Sequence, residues 1–394
     1  MKTLNVAVLG QVFTPPQVVE LMLGLIRNKG RALDPACGDG AFSSRLPSQF
    51  SDCVAIELDA QLCPTYALNR DFFSYPETER FNTIIGNPPY VKARDILPDT
   101  ALQLRRVHGN ASSLLDGHAN LYLHFIEKCV RHLKPGGELI FITPRDFLKA
   151  TGAARLNVWL NDQGSFTDYT ELGDKRIFAG SIPNCAIWRF EKGNFERRLG
   201  DGRRMRLSGG HLMFTHGIYS VPLSSVFKVK VGAVSGADEI FTHAELGNTD
   251  FVCSRTAQTG ELRRMIFDTP STKGPIPYLE QFKERLLARR VTNFDESNWW
   301  KWGRRHFETE APRIYVNGKT RNPRPFFLND CKDYDGAVLA LFPHRQDADL
   351  RQLAELLNEV DWHELGFVCD GRFLFSQRSL EHCLLPEAFA AYAE

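Results

Sequence analysis

The sequence predicts an α/β chain whose first half is a doubly wound sheet, followed by a second domain. Three observations carry this. Short apolar runs alternate with amphipathic stretches through the first half. Two of those runs end in an acid, and the first acid leads into a glycine-rich turn. The 394 residues also exceed what one hydrophobic core serves, so two domains are expected.

Taken in order, Gln17–Ile26 is an amphipathic helix with apolar residues at helical spacing. Arg31–Asp34, Cys53–Glu57 and Asn82–Gly86 are short apolar strands. Leu121–Leu133 is a second amphipathic helix, and Glu138–Thr143, Phe166–Leu172 and Asn184–Phe190 are further strands. Residues 191–217 turn polar and glycine-rich, a composition that joins domains or makes an exposed hairpin, which places a boundary near Gly217. The expected domains are therefore residues 1–217 and 218–394.

Composition narrows the function. With 43% hydrophobic and 24% charged residues the chain is neither disordered nor fibrous. Its 48 basic and 47 acidic side chains nearly cancel, so a polyanionic partner has to be met by a local patch. One such patch is the segment 283–324, where eleven Lys or Arg face five acids among Phe294, Trp299, Trp300, Trp302, Phe307 and Tyr315. A solvated surface over core tryptophans explains the same composition equally well. The nine cysteines contain no CxxC pair and no zinc-ribbon spacing, so neither a metal site nor a disulfide framework is expected. No run approaches the roughly 20 apolar residues of a membrane span. Gln11 and the Pro15-Pro16 pair interrupt any leader-like core, and a cytoplasmic protein without membrane contact is expected.

Three motifs carry chemistry. In Asp34-Pro35-Ala36-Cys37-Gly38-Asp39-Gly40 the glycines sit at an expected strand-to-helix turn, where they let the backbone approach a ligand and present amides at a helix start; the spacing is neither a P-loop nor a complete dinucleotide fingerprint. Glu57 ends the next strand, about 20 residues on, where an acid accepts hydrogen bonds from both hydroxyls of a ribose. Asp71 and Phe72 add a polar and a stacking contact for an adenine ring. Asn87-Pro88-Pro89-Tyr90 then closes the strand FNTIIG. Two carbonyl oxygens there, the Asn87 amide and the Pro88 backbone, can hold an aromatic amino group with its lone pair towards an electrophile, while Tyr90 stacks on the ring. Cytosine carbon-5 chemistry needs a Cys nucleophile, usually after a proline, and Cys63 precedes Pro64 instead.

The order FTPP, DPACGDG, acid, NPPY resembles the S-adenosylmethionine-dependent adenine-N6 methyltransferases of DNA in their gamma arrangement, the Type II restriction-modification methylases with an NPPY motif. The resemblance implies a Rossmann-like methyltransferase domain with a mostly parallel seven-stranded sheet, then a mixed α+β target-recognition domain. It also implies that Thr14 and Pro15 hold the methionine part of the cofactor together with the Asp34–Gly40 turn, that Glu57 meets the ribose, and that Asp71 and Phe72 meet the adenine. KRIFAGSIPNCAIWRF resembles the segment whose aromatic covers the other face of the extruded base, which makes Phe178 the partner of Tyr90. VGAVSGADEIF, residues 231–241, resembles the opening of the recognition domain. Double-stranded DNA is the implied partner, with a cognate endonuclease acting separately where the enzyme is restriction-linked. Enzymes carrying NPPY also methylate RNA amino groups and protein glutamines. Release-factor enzymes of that kind, however, place a helical domain before the cofactor motif, whereas here the glycine turn falls within the first forty residues. A decayed recognition subunit would have lost Asn87 or the glycines, and a fused nuclease finds no room.

Overall fold

The structure is a computed structural model that describes residues 9–108, 114–115, 119–172, 184–269, 272–369 and 371–394. It divides into two compact units, Met1–His216 and Gly217–Glu394. In the first, strands β1 (Arg31–Asp34), β2 (Asp52–Glu57), β3 (Leu68–Asn69), β4 (Phe81–Gly86), β5 (Leu133–Pro144), β6 (Gly164–Glu171) and β7 (Cys185–Lys192) form one sheet in the order β3-β2-β1-β4-β5-β7-β6. The first five in that order run parallel, and β7 lies antiparallel between β5 and β6.

Successive residues of a strand point to opposite faces, and here both faces are covered. Ala32, Ile85, Ile140 and Ile187 pack with Val18, Val19 and Met22 of helix α1 (Pro16–Leu23). Leu33, Ile84, Leu139 and Trp188 pack with Phe125, Ile126 and Cys129 on the other face. Between the strands run helix α2 (Pro98–His108), helix α3 (Leu121–His132), which carries the second set, and helix α4 (Ala154–Gln163). The β-strand register is thus written directly in the alternation of the apolar runs. β3 is two residues long and exposed, too short to leave a pattern in the sequence.

The polar segment after β7 differs from expectation. It folds into a hairpin of β8 (Arg204–Ser208) and β9 (His211–Thr215) that belongs to the first unit and is buried along the whole of β9. Phe214 packs 4.7 Å from the Tyr169 ring and 5.4 Å from Phe166. Its turn is Gly209-Gly210, both at positive φ, and a Cβ on Gly210 would meet the Ala154 Cα at 2.9 Å.

A buried carboxylate ties the sheet together. Glu138 of β5 accepts from the Arg27 and Asn28 amides, from Thr83 Oγ1 at 3.0 Å and from Arg189 Nε at 2.6 Å. One side chain therefore fixes the α1–β1 turn to β4, β5 and β7.

The second unit is mixed α+β. Phe227–Val231, Val338–Pro343, Ile314–Asn317 and Phe326–Phe327 form an antiparallel sheet in that order. Beside it stand smaller ribbons and the helix Leu350–Glu359, capped by the Asp349 carboxylate. Trp299, Trp300 and Trp302 are buried in its core with Phe241, Phe251 and Phe267. Residues 231–241 stitch this unit together. A Cβ on Gly232 would fall 2.0 Å from the Asp335 carbonyl, and Val234 exchanges backbone hydrogen bonds with Gly303 and Arg304. Among the described residues no helix is long and apolar enough to cross a membrane.

Replacing Arg189 with Met keeps the volume but leaves the Glu138 carboxylate without its cation. Urea unfolding should show a loss of about 3 kcal/mol, and a loss below about 1 kcal/mol would show that the amides and Thr83 suffice.

Candidate functional site

β1, β2 and β4 end side by side, and their carboxyl ends hold Asp34, Glu57 and Asn87. In an open parallel sheet this edge is where ligands bind. A cavity opens there, lined among others by Ala36, Gly38, Glu57, Asp71, Phe72 and Asn87.

The glycine turn is built differently from the expected strand-to-helix junction. No α-helix follows β1; the chain runs through consecutive turns to a single helical turn at Leu46–Ser48. Gly38 at φ +56° and Gly40 at φ +96° explain this, because left-handed residues break a right-handed helix before it starts. The turn is held instead by a carboxylate. Glu57 Oε2 accepts from the Gly38 amide at 2.8 Å, and Oε1 from the Asp59 amide at 2.9 Å. Each oxygen keeps a further lone pair for a ligand hydroxyl. Burial raises the Glu57 carboxyl above its ordinary range, and the neighbouring amides oppose that shift.

Asp34 sits deeper and is fully buried, with neither oxygen in a hydrogen bond of normal geometry. Burial, then the nearby Glu57 charge, raises its carboxyl to about 8, although the Ala36 and Ser43 amides favour the charged form. It supports the turn from beneath and does not line the cavity, and the same holds for Cys37 and Gly40.

Asp71 lines the cavity with both oxygens engaged, Oδ1 by the Phe73 amide at 2.8 Å and Oδ2 by Thr100 Oγ1 at 2.6 Å. Phe72 is stacked on Phe125, centroids 5.1 Å apart. The buried Lys128 ammonium lies 4.9 Å from the Phe72 ring and donates to the Phe73 and Tyr75 carbonyls, so it clamps this turn. Its burial lowers the Lys128 pKa to about 8.

Asn87 joins β4 to a strap, residues 9–14. Its Nδ2 donates to Thr14 Oγ1 at 3.1 Å and to the Val12 carbonyl at 3.4 Å, and its buried Oδ1 has no partner. The strap is anchored separately. Gln11 Nε2 donates to Asp59 Oδ2 at 2.8 Å, and Gly10, at φ +61°, lies so close to Tyr90 and Val91 that a Cβ would meet the Tyr90 amide at 2.9 Å. Pro88 and Pro89 line the cavity, Pro88 buried. Tyr90 does not line it. Its hydroxyl donates to the Ile142 carbonyl at 3.0 Å, and its half-buried ring stands edge-on to Tyr122. Burial of the hydroxyl end keeps it protonated, so the ring is held in one orientation.

Thr14 and Pro15 lie off the cavity wall, Thr14 against Asn87 and Pro15 as the residue capping α1. Phe178 lies outside the described residues. Sequence reasoning missed Gln11, Thr100 and Phe125; only Gly10, a glycine just before FTPP, hinted that the strap packs closely. Among the described residues no cluster of side chains could hold a metal ion.

Comparison with known proteins fits this geometry. Residues 52–178 match the Eco57I restriction-modification methylase family. The match lies within the first unit. A Type II methyltransferase of Thermus thermophilus is 35% identical over 208 residues, 50% of this chain and 48% of that protein. The Type II methyltransferase M.HincII of Haemophilus influenzae is 30% identical over 191 residues, 47% of this chain and 38% of that protein. The chain thus matches less than half the length of these relatives. The fold of the Type IIL restriction-modification enzyme MmeI, solved in complex with DNA, superposes with a TM-score of 0.59 at 13% identity over 94% of this chain and 64% of that one.

The cofactor of such a methylase domain is S-adenosylmethionine, and the residues fit it. Glu57 offers carboxylate oxygens to a ribose, Phe72 and Asp71 offer an apolar face and an acceptor to an adenine, and the positive-φ glycines leave the backbone bare.

Asp34 yields a prediction with a definite sign. Its folded pKa of about 8 lies above the unfolded value, so the folded unliganded protein holds a proton that the unfolded chain has lost. That stability is present at acid pH and is lost as pH rises towards about 8. Asp34→Asn should flatten this part of the curve of melting temperature against pH; an unchanged slope would contradict the burial argument.

Proposed function

We propose that the chain transfers a methyl group from S-adenosylmethionine to the exocyclic N6 amino group of an adenine flipped out of duplex DNA, as the modification enzyme of a restriction-modification system. The observation that carries this reading is the partnerless, buried Oδ1 of Asn87, a residue that lines a cavity with a ribose-competent acid. Bound S-adenosylmethionine supplies an electrophilic methyl group. The chain supplies the rest. Asn87 Oδ1 and the Pro88 carbonyl accept the two N–H bonds of the amino group and keep its lone pair out of conjugation with the ring, facing the donor. Positioning and electrostatics of this kind need neither a metal nor a covalent intermediate.

An adenine inside a duplex cannot reach the cavity, so it has to be extruded, at a cost of a few kcal/mol. Stacking on Tyr90, and on Phe178 as the resemblance implies, offsets about 1–3 kcal/mol per ring. The order of motifs supports adenine as the acceptor base. Residues 218–394 are then the target-recognition domain, and the basic segment 283–324 is its face towards DNA. Six of its arginines fall into three sorts. Arg289 is buried and donates to the Leu286, Ser235, Trp299 and Lys301 carbonyls, which removes it as a base contact. Arg305 is held by Asp268 and Glu308, and Arg324 by Glu355. Arg290, Arg304 and Arg321 are exposed. The best readers of phosphate are these three.

The test is methylation of unmethylated genomic DNA with labelled S-adenosylmethionine, with RNA and a cell protein extract in parallel, followed by nucleoside analysis. N6-methyladenine in DNA is expected; label only in cytosine, RNA or protein would overturn the acceptor. Asn87→Ala should lower transfer at least about a hundredfold while the equilibrium affinity for S-adenosylmethionine is kept, and loss of cofactor binding would contradict the assignment. Changing Arg290, Arg304 or Arg321 to Ala should weaken binding to all DNA sequences and lower the slope of log affinity against log salt by about one. Slopes unchanged in all three would place the DNA face elsewhere.

A further inference from the structure

An amide side chain has two ends of similar shape and opposite hydrogen-bonding character, and only one end serves as acceptor. In the reaction proposed above, everything depends on which end of Asn87 faces the amino group. The Val12 carbonyl settles it, because a backbone oxygen only accepts and so demands the nitrogen. At 3.4 Å that contact is long. The shorter one, 3.1 Å, is to Thr14 Oγ1. With both oxygens on one side of the amide, the flipped arrangement sets Oδ1 against the Val12 carbonyl and leaves a buried NH2 where the acceptor belongs. Donation from Nδ2 also polarises the amide and increases the electron density on Oδ1.

We propose that Thr14, with the Val12 carbonyl, is a positioning residue that locks the Asn87 amide with its oxygen free to receive the amino group. This rests on the function proposed above and gives Thr14 a role towards the acceptor, distinct from the cofactor contact that the resemblance implies. Thr14 is not on the cavity wall, which agrees with action through Asn87. The strap does not depend on this bond for its place. Gln11 to Asp59 and the close seat of Gly10 on Tyr90 hold it independently, so removing the Thr14 hydroxyl takes away one acceptor and little else.

The experiment compares Thr14→Val, which keeps the shape, with Thr14→Ser, which restores the hydroxyl. Single-turnover transfer to genomic DNA should fall about tenfold to a hundredfold in Thr14→Val, with the dissociation constant for S-adenosylmethionine and the melting temperature unchanged, and should return in Thr14→Ser. A second readout needs no turnover. In protein labelled with ¹⁵N-asparagine, the Asn87 side-chain NH2 signal, assigned by its absence in Asn87→Ala, should exchange with solvent faster in Thr14→Val and as in the parent in Thr14→Ser. Full activity in Thr14→Val, or a loss that follows weakened cofactor affinity, overturns the proposal, as does an unchanged amide exchange rate. A parent protein that transfers no methyl to DNA yet shows the exchange difference overturns the functional reading and leaves the Thr14 lock standing.

Discussion

The constraint on which the first unit turns is the one-sided hydrogen bonding of Asn87. Its nitrogen is taken up by Val12 and Thr14, and its buried oxygen is left with nothing. A buried acceptor without a partner costs about 1–3 kcal/mol in an ordinary protein. The surrounding structure carries that cost. Pro88 and Pro89 stiffen the chain beyond it, the Tyr90 hydroxyl is pinned to β5 through Ile142, and the strap is fastened at Gly10 and Gln11. Loosening any of these would let the amide turn and satisfy itself.

The same edge of the sheet gathers two buried carboxyl groups. Asp34 and Glu57 end neighbouring parallel strands in a poorly solvated place, where burial disfavours both charges and the Glu57 charge further raises the Asp34 carboxyl. The Glu57 carboxylate also organises the turn by taking the Gly38 and Asp59 amides, so the group that offers oxygens to a ribose is the group that shapes the loop around it. Asp59 in turn receives Gln11 of the strap, which links the Glu57 carboxylate to the strap against which Asn87 packs.

Much of this was legible in the sequence. Short apolar runs located β1, β2 and β4 to within a residue, and the chemistry-bearing groups stand at their ends because that is where a parallel sheet exposes side chains. What was hidden depended on tertiary context. The glycine turn looked like a helix start, but positive φ at Gly38 and Gly40 prevents one. The polar text of 191–217 reads as a linker or an exposed hairpin; it folds as a hairpin, but one whose inner strand is buried, since apolar residues such as Leu212 and Phe214 fall where the core needs them. Arg289 and Arg290 are adjacent and alike in sequence; one is sunk among four carbonyls with its guanidinium 3.8 Å from the Phe294 ring, the other faces solvent. Only packing separates them. The contact of Thr14 with Asn87 is hidden in the sequence for the same reason, as the two stand 73 positions apart.

The central claim, that the free Asn87 oxygen receives the amino group of an extruded adenine, is tested most directly by a structure of the protein with S-adenosylhomocysteine and a duplex bearing the site found by sequencing its methylated product. The account predicts an adenine out of the stack, its exocyclic nitrogen within hydrogen-bonding distance of Asn87 Oδ1 and the Pro88 carbonyl, and the cofactor ribose on Glu57. A base still stacked in the duplex, or an Asn87 amide turned with its nitrogen towards the base, would contradict it.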